Sequence, residues 1–150
     1  MRGSVGPAGP VIFVRNRQRT VRINLGELRA FARRVYQACV ELPGKRGSQL
    51  AVIDELGIIL VSDRQMSELH LRFLGIDGPT DVITFQHGEI FVGVETARRQ
   101  AQRFGTSLGH ELRLYIAHGL LHLHGFDDKE AKGAAEMARL QERLLMAAEE

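Results

Sequence analysis

The chain has a single cysteine, Cys39, among 150 residues. No intrachain disulfide can form, and no thiolate-rich zinc site can be built. Cys39 falls on the apolar stripe of an expected helix, where a buried, inert thiol is the expected state. Apolar runs are short as well: none approaches the roughly 20 residues a membrane span needs. The opening "MRGSVGPAGPVIFV" has an arginine near its start but too short an apolar core for a secretory signal. Residues 1–10 are expected to be a flexible Gly/Pro tail, and the protein is expected to be cytoplasmic. Internal repeats and low-complexity tracts are also missing. What remains is ordinary globular composition, 44% apolar and 25% charged. A chain of this length reads as one domain, 1–150, that can bury a core without disulfides or a structural metal.

Net charge is only +2, but it is unevenly spread. Residues 1–50 hold ten Lys/Arg and two Asp/Glu, a local balance of +8 against −6 for the rest. Such asymmetry suggests a basic surface on one part of the fold. Arg15, Arg17, Arg19 and Arg22 alternate along an expected strand or its exit, which would place them on one face. That face either meets phosphates or is simply solvated.

"VIFV" (11–14) reads as a first strand. "NLGE" reads as a capping box, Asn24 capping and Glu27 reaching back. Leu28, Phe31, Val35, Cys39 and Leu42 follow at helical spacing. "GIILV" should be a buried strand, and Ser62 or Asp63 can cap a helix reaching Phe73. Short strands are expected at Val82–Phe85 and in "GEIFVG", and helices at 95–104, 109–124 and 129–148. The last two would turn Leu112, Ile116, Leu120 and Leu123, then Met137, Leu140, Leu144 and Leu145, toward a core. Three or four strands with four or five helices make an α+β or α/β sandwich.

The chemistry concentrates in "HGLLHLHGFDD", His118 to Asp128. His118 and His122 are four apart, so a helix puts both imidazoles on one face, one turn apart. Gly125 can take positive φ, end the helix and reverse the chain. Asp127 or Asp128 can then return toward the imidazoles. Two histidines and a carboxylate with an open position are the layout of a catalytic zinc site. His124, two after His122, points elsewhere while the helix lasts. The alternative for the pair is surface decoration or satisfied core histidines, and for Asp127 a cap or turn. The residue after His118 is Gly119, where zinc proteases of the H-E-x-x-H type carry their glutamate base. A protease of that type is therefore disfavoured.

"HGLLHLHGFDD" resembles the H-G-x-L-H-L-x-G-[FY]-D-H signature of the YbeY endoribonucleases. "MSELHLRFLGIDGPTDVITF" is similar to that family's L-N-x-x-Y-R-x-x-D-x-P-T-D-V-L-S-F segment. "GEI" (88–90) matches its G-D-I, and Glu111 stands where the family often has a glutamate. The likeness runs over about residues 50–128. It implies an α+β fold, with a small mixed sheet packed by four to five helices and a metal site on a helix and the following turn. It also implies metal-dependent cleavage of single-stranded RNA in ribosomal RNA maturation, at the small-subunit 3′ end, and in ribosome quality control. RNA and the small ribosomal subunit would be the partners, and zinc, one ion per chain, the cofactor.

Carried over position by position, the family's metal-ligand histidines fall on His118, His122 and Asp128. The carboxylate at the third position is an acceptable zinc ligand that lowers the charge at the metal. The family's arginine falls on Leu74 and its asparagine on His70. Arg72, two residues earlier, is the candidate to stand in for that arginine as a catalytic residue; otherwise it is a solvated helix arginine. Arg15, Arg17 and Arg19 are the candidates for holding the RNA backbone. Thr80 and Asp81, in the family's P-T-D, suit a turn. Three readings compete with the nuclease: a catalytically weakened RNA- or ribosome-binding metalloprotein, another zinc metallohydrolase such as a protease-like enzyme, and a two-His-one-carboxylate iron site. Leu74 and Asp128 favour the first.

Overall fold

The computed structural model describes residues 9–149; the expected tail at 1–10 lies almost wholly outside them. Four strands and five helices follow one another as β1 (Val11–Asn16), α1 (Leu25–Val40), β2 (Glu55–Val61), α2 (Asp63–Leu74), β3 (Val82–Phe85), β4 (Glu89–Gly93), α3 (Val94–Phe104), α4 (Leu108–Leu123) and α5 (Ala131–Ala147). The strands form one mixed sheet in the order β1-β2-β4-β3. β1 and β4 run parallel to β2, and β3 runs antiparallel to β4. This is the α+β arrangement expected.

β2 is central and covered on both faces, so six of its seven residues are buried. That is why "LGIILV" is continuously apolar rather than alternating. On one face Leu56, Ile58, Leu60, Ile90 and Val92 meet α1, α4 and α5 in the main core. On the other, Ile59, Val61, Ile83 and Phe91 meet Met66 of α2 in a smaller cluster. Each fully buried Leu or Ile contributes about 1.5–3 kcal/mol through removal of apolar surface from water. Cys39 is buried in the main core. Burial pushes its thiol pKa up to about 12, so it is unreactive at neutral pH.

Helix ends follow local chemistry. Asn24 caps α1, its side chain accepting from the Glu27 amide at 3.1 Å. The reciprocal box expected there is found instead at α2, between Ser62 and Gln65. α2 is tied to α3 by Arg99, which donates to both carboxylate oxygens of Asp63 at 2.6 and 3.2 Å. The same guanidinium holds the Asp63 carboxyl below its usual pKa. α5 starts at Ala131, two residues later than its pattern suggested, because Asp127 accepts from the Lys129 amide and keeps that stretch in a turn.

The arginine run needs correction. β1 ends at Asn16, so only Arg15 lies in the strand. The buried Gln18 amide then bonds Asn16 Oδ1 and the Val21 carbonyl and folds the chain into a turn. The Arg17 amide still donates to the Leu60 carbonyl at 2.9 Å, so strand alternation carries as far as Arg17 and stops in the turn after it. Arg22 ends up in a separate cleft between the starts of α1 and α4. The four arginines do not share one face.

α4 is the central helix, buried on most of its circumference. It lies close on β4 because Gly119 has no side chain. A Cβ there would stand 2.7 Å from Ile90 Cγ2 and 2.9 Å from Ile90 Cδ1. Both groups are in the packed core, so room could be made only by strain. Gly119→Ala is expected to lower stability by about 1–2 kcal/mol despite the better helix propensity of alanine. A urea midpoint unchanged from wild type would show that α4 has slack against the sheet.

Candidate metal centre

α4 presents two polar side chains to a cleft at its C-terminal end, His118 and His122. Both are half-buried. His122 Nδ1 donates to the Phe126 carbonyl at 3.1 Å, an acceptor that fixes the proton on that nitrogen. His118 Nδ1 donates to Gln141 Oε1 of α5 at 2.5 Å. Both Nε2 atoms are thus left unprotonated, and they face each other at 3.0 Å. Two lone pairs at that distance repel unless a positive charge sits between them.

The chain returns as the glycine spacing suggests. His124 ends α4, Gly125 adopts φ 95° and Phe126 is buried. A Cβ on Gly125 would also lie 2.8 Å from the Lys45 carbonyl, so the turn is closed to larger residues on two counts. The turn delivers Asp128, with Oδ2 3.5 Å from His118 Nε2 and Oδ1 3.8 Å from His122 Nε2. One ligand atom from each of the three residues lies within 4.8 Å of the others. Ligand atoms on a tetrahedral zinc stand about 3.3 Å apart, given bonds of about 2.0–2.1 Å. The 3.0 Å between the imidazoles and the shortest approaches of the two Asp128 oxygens, 3.5 and 3.8 Å, lie on either side of that value, so the set could hold a small divalent cation. Outer-shell acceptors on both Nδ1 atoms, as here, orient imidazole ligands and raise their basicity.

Burial, and secondarily the neighbouring His118, hold the His122 pKa below its ordinary value of 6.5. The imidazole therefore stays neutral, the form that binds metals.

The cleft is about 620 Å³. It is walled by Phe73 and Leu74 of α2, by Asp81 and the strand β3, and by His118, His122, Asp128 and Lys129. Asp81 accepts from the Val82 amide and Thr80 hydroxyl, the turn role its sequence context suggests. Asp127 points into its own turn. His124 is buried and points away from the cleft: its Nε2 donates to the Leu42 carbonyl at 2.7 Å and its Nδ1 accepts from Ser48. It anchors the loop after α1.

Arg72 does not line this cleft. It lies in a neighbouring groove with Arg17, Val61, Gln65, Glu68, Leu69 and Phe91. Arg15 lies over the Phe13 ring on the sheet, 4.8 Å from its centroid, and Arg19 is exposed in the turn after β1. The last turn of α2 thus separates the histidine cleft from a basic groove. Gln141 went unnoticed in the sequence. Its signal was there: with Met137 and Leu144 it completes the inner stripe of α5, where a polar residue needs a partner.

Two outcomes follow from this geometry. The protein should bind one divalent ion per chain, His122→Ala should abolish binding, and Asp128→Ala should weaken it about ten-fold or more; Asp128→His should retain it. Mass spectrometry of the metal and titration calorimetry read both, and undiminished affinity in Asp128→Ala would remove Asp128 from the set. The second concerns the metal-free protein. His122 has a lower pKa folded than unfolded, so the unfolded chain takes up the proton first. That contribution to stability is complete above about pH 6.5 and is lost as pH falls from there toward the folded value. Melting between pH 7.5 and 5.5 should show this loss in wild type and a smaller one in His122→Gln.

The family model described as Endoribonuclease YbeY matches residues 13–149. Endoribonuclease YbeY of Moorella thermoacetica is 36% identical over 138 residues, 79% of this chain and 85% of that protein. Its namesake in Frankia alni is 32% identical over 154 aligned positions, 89% of this chain and 80% of the relative. The Synechococcus sp. (strain CC9605) protein of that name is 42% identical over 105 residues, which span 60% of this chain and 63% of that protein's length. Among solved structures, the solution structure of TM1509 from Thermotoga maritima superposes with a TM-score of 0.63 at 26% identity, covering 92% of this chain and 89% of that one. No helix among the described residues is long and apolar enough to cross a membrane. On the match across nearly its whole length, the chain belongs to the YbeY endoribonuclease family.

Proposed function

We propose that the protein is a zinc-dependent endoribonuclease that cleaves single-stranded RNA. Its proposed substrate is the 3′ end of the small-subunit ribosomal RNA precursor, met in the cytoplasm on the small ribosomal subunit. The observation that carries this reading is the pair of Nε2 atoms 3.0 Å apart with Asp128 beside them, set in an open cleft. When bound, zinc would acidify water and polarise a phosphodiester oxygen.

The chain's own residues do the rest. Gln141 and the Phe126 carbonyl keep both imidazoles in the tautomer that offers Nε2. Asp128 would hold the cation through a carboxylate whose negative charge would temper its pull on electrons. Lys129 lines the cleft beside Asp128 and is placed to neutralise a phosphate oxygen. Arg17 and Arg72, across the last turn of α2, are placed to hold phosphates of the flanking strand. Arg72 is thus better suited to backbone binding than to the catalytic role first expected of it. Arg15 and Arg19, exposed near the same strand exit, extend the positive charge.

A second reading has one specific observation in its favour. Leu74, at the position of the family's arginine, faces the cleft and cannot stabilise developing charge. Such a protein would bind RNA and metal yet cut slowly. A protease-like hydrolase fits poorly, because Gly119 is packed on Ile90 and offers no base beside His118.

Single-stranded and duplex RNA, and casein as a protein substrate, should be incubated with the metal-loaded protein. Cleavage of single-stranded RNA alone, lost with chelator and in His122→Ala, is the expected result; RNA binding without cleavage supports the second reading. Binding should weaken as salt rises. Removing either Arg17 or Arg72 should reduce the slope of log K against log salt by about 0.7 if each meets one phosphate of a single strand. An unchanged slope in both variants would take them out of the RNA path.

A further inference from the structure

The C-terminal turn of α2 is unusually apolar for a surface. Leu71, Phe73, Leu74 and Ile76 are each more than half exposed. Of these, Phe73 and Leu74 form a wall of the same cleft that holds His118, His122 and Asp128. The Phe73 ring is anchored rather than loose. It packs edge-on against Phe85 with centroids 5.2 Å apart, and Phe85 is in turn edge-on to Phe91 at 5.7 Å. The neighbouring Arg72 guanidinium stands 5.5 Å from the Phe73 ring centre. A fixed, half-exposed aromatic ring with a leucine beside it and a guanidinium over part of it form a shelf for a flat, uncharged ring carrying an adjacent phosphate.

Resting on the nuclease reading of this site, we propose that Phe73 and Leu74 form a stacking shelf for one unpaired nucleobase next to the phosphate held at the histidine cleft. Continuity identifies the occupant. A strand with one phosphate at His118 and His122 has its neighbouring nucleotide against the cleft wall, and that wall is Phe73 and Leu74. Its next phosphate then reaches the groove of Arg72 and Arg17 on the far side of the turn. The chemistry selects single strands, because in a duplex both faces of every internal base are already stacked. It tolerates different bases, because every base has a π-face. The shelf also gives Leu74 a use: an apolar side chain there extends the surface under the base.

The test uses metal-loaded full-length protein and a short oligoribonucleotide carrying 2-aminopurine, whose fluorescence is quenched when it stacks. Wild type should quench the probe when it occupies the shelf position. Phe73→Ala should lose the quench and bind about ten-fold more weakly, with metal content unchanged and the protein still folded at the assay temperature, its melting temperature lowered by a few degrees at most through the lost Phe85 contact. Phe73→Trp should restore both. An abasic nucleotide at that position should weaken wild type by a similar factor and Phe73→Ala no further. Quenching without cleavage would leave the shelf standing and overturn the nuclease reading. Cleavage with equal affinity and quench in wild type and Phe73→Ala would overturn the shelf alone, and would leave the apolar turn as a surface for a protein.

Discussion

Two imidazole nitrogens 3.0 Å apart, each with its proton on the far side of the ring, set the condition that the rest of this fold serves. The arrangement is unfavourable unless a positive charge lies between them, and holding it requires rigid support. That support is distributed. α4 fixes the spacing by its own pitch. The Gly119–Ile90 contact presses the helix to the sheet. Gln141 arrives from α5, and the Phe126 carbonyl from the turn. Polar groups so placed cost stability by themselves, and the surrounding apolar core, with Leu120, Leu121 and Leu123 buried, offsets that cost.

The cleft departs from a purely electrostatic phosphate site. Lys129 is the cation along its wall, whereas Arg17 and Arg72 are gathered in the adjacent groove. Charge and apolar surface are thus segregated on either side of the last turn of α2. The helix is tied to α3 at its other end by the ion pair of Asp63 with Arg99. Backbone attraction and close positioning can therefore be handled by different residues.

Much of this was legible in the sequence where local rules dominate. The helical spacing of His118 and His122, the stop at Gly125 and the apolar run of β2 each follow from short-range periodicity and turn chemistry. The choice between Asp127 and Asp128 did not. It depends on how tightly the turn closes, which is set by the Asp127 side chain bonding the Lys129 amide. The family resemblance, not the spacing, pointed to Asp128. Alternation in the arginine run holds as far as Arg17, whose amide still bonds the Leu60 carbonyl, and does not extend past it. There the buried Gln18 bends the chain, a tertiary effect that no periodicity records. Gln141 stands out in the sequence only as a polar residue on an apolar stripe; which residue it serves was not legible, because that partner lies 23 residues away on another helix.

Gln141 links the site to the order in which the chain is completed. It lies on the last helix, whereas His118 lies on the one before. His118 therefore acquires its orientation only when α5 has docked, and a cation bound there would favour the docked state by mass action. Chemical competence and integrity of the C-terminal helix become linked quantities. A chain cut short before Gln141, or one with α5 frayed, retains both imidazoles yet leaves His118 without its acceptor.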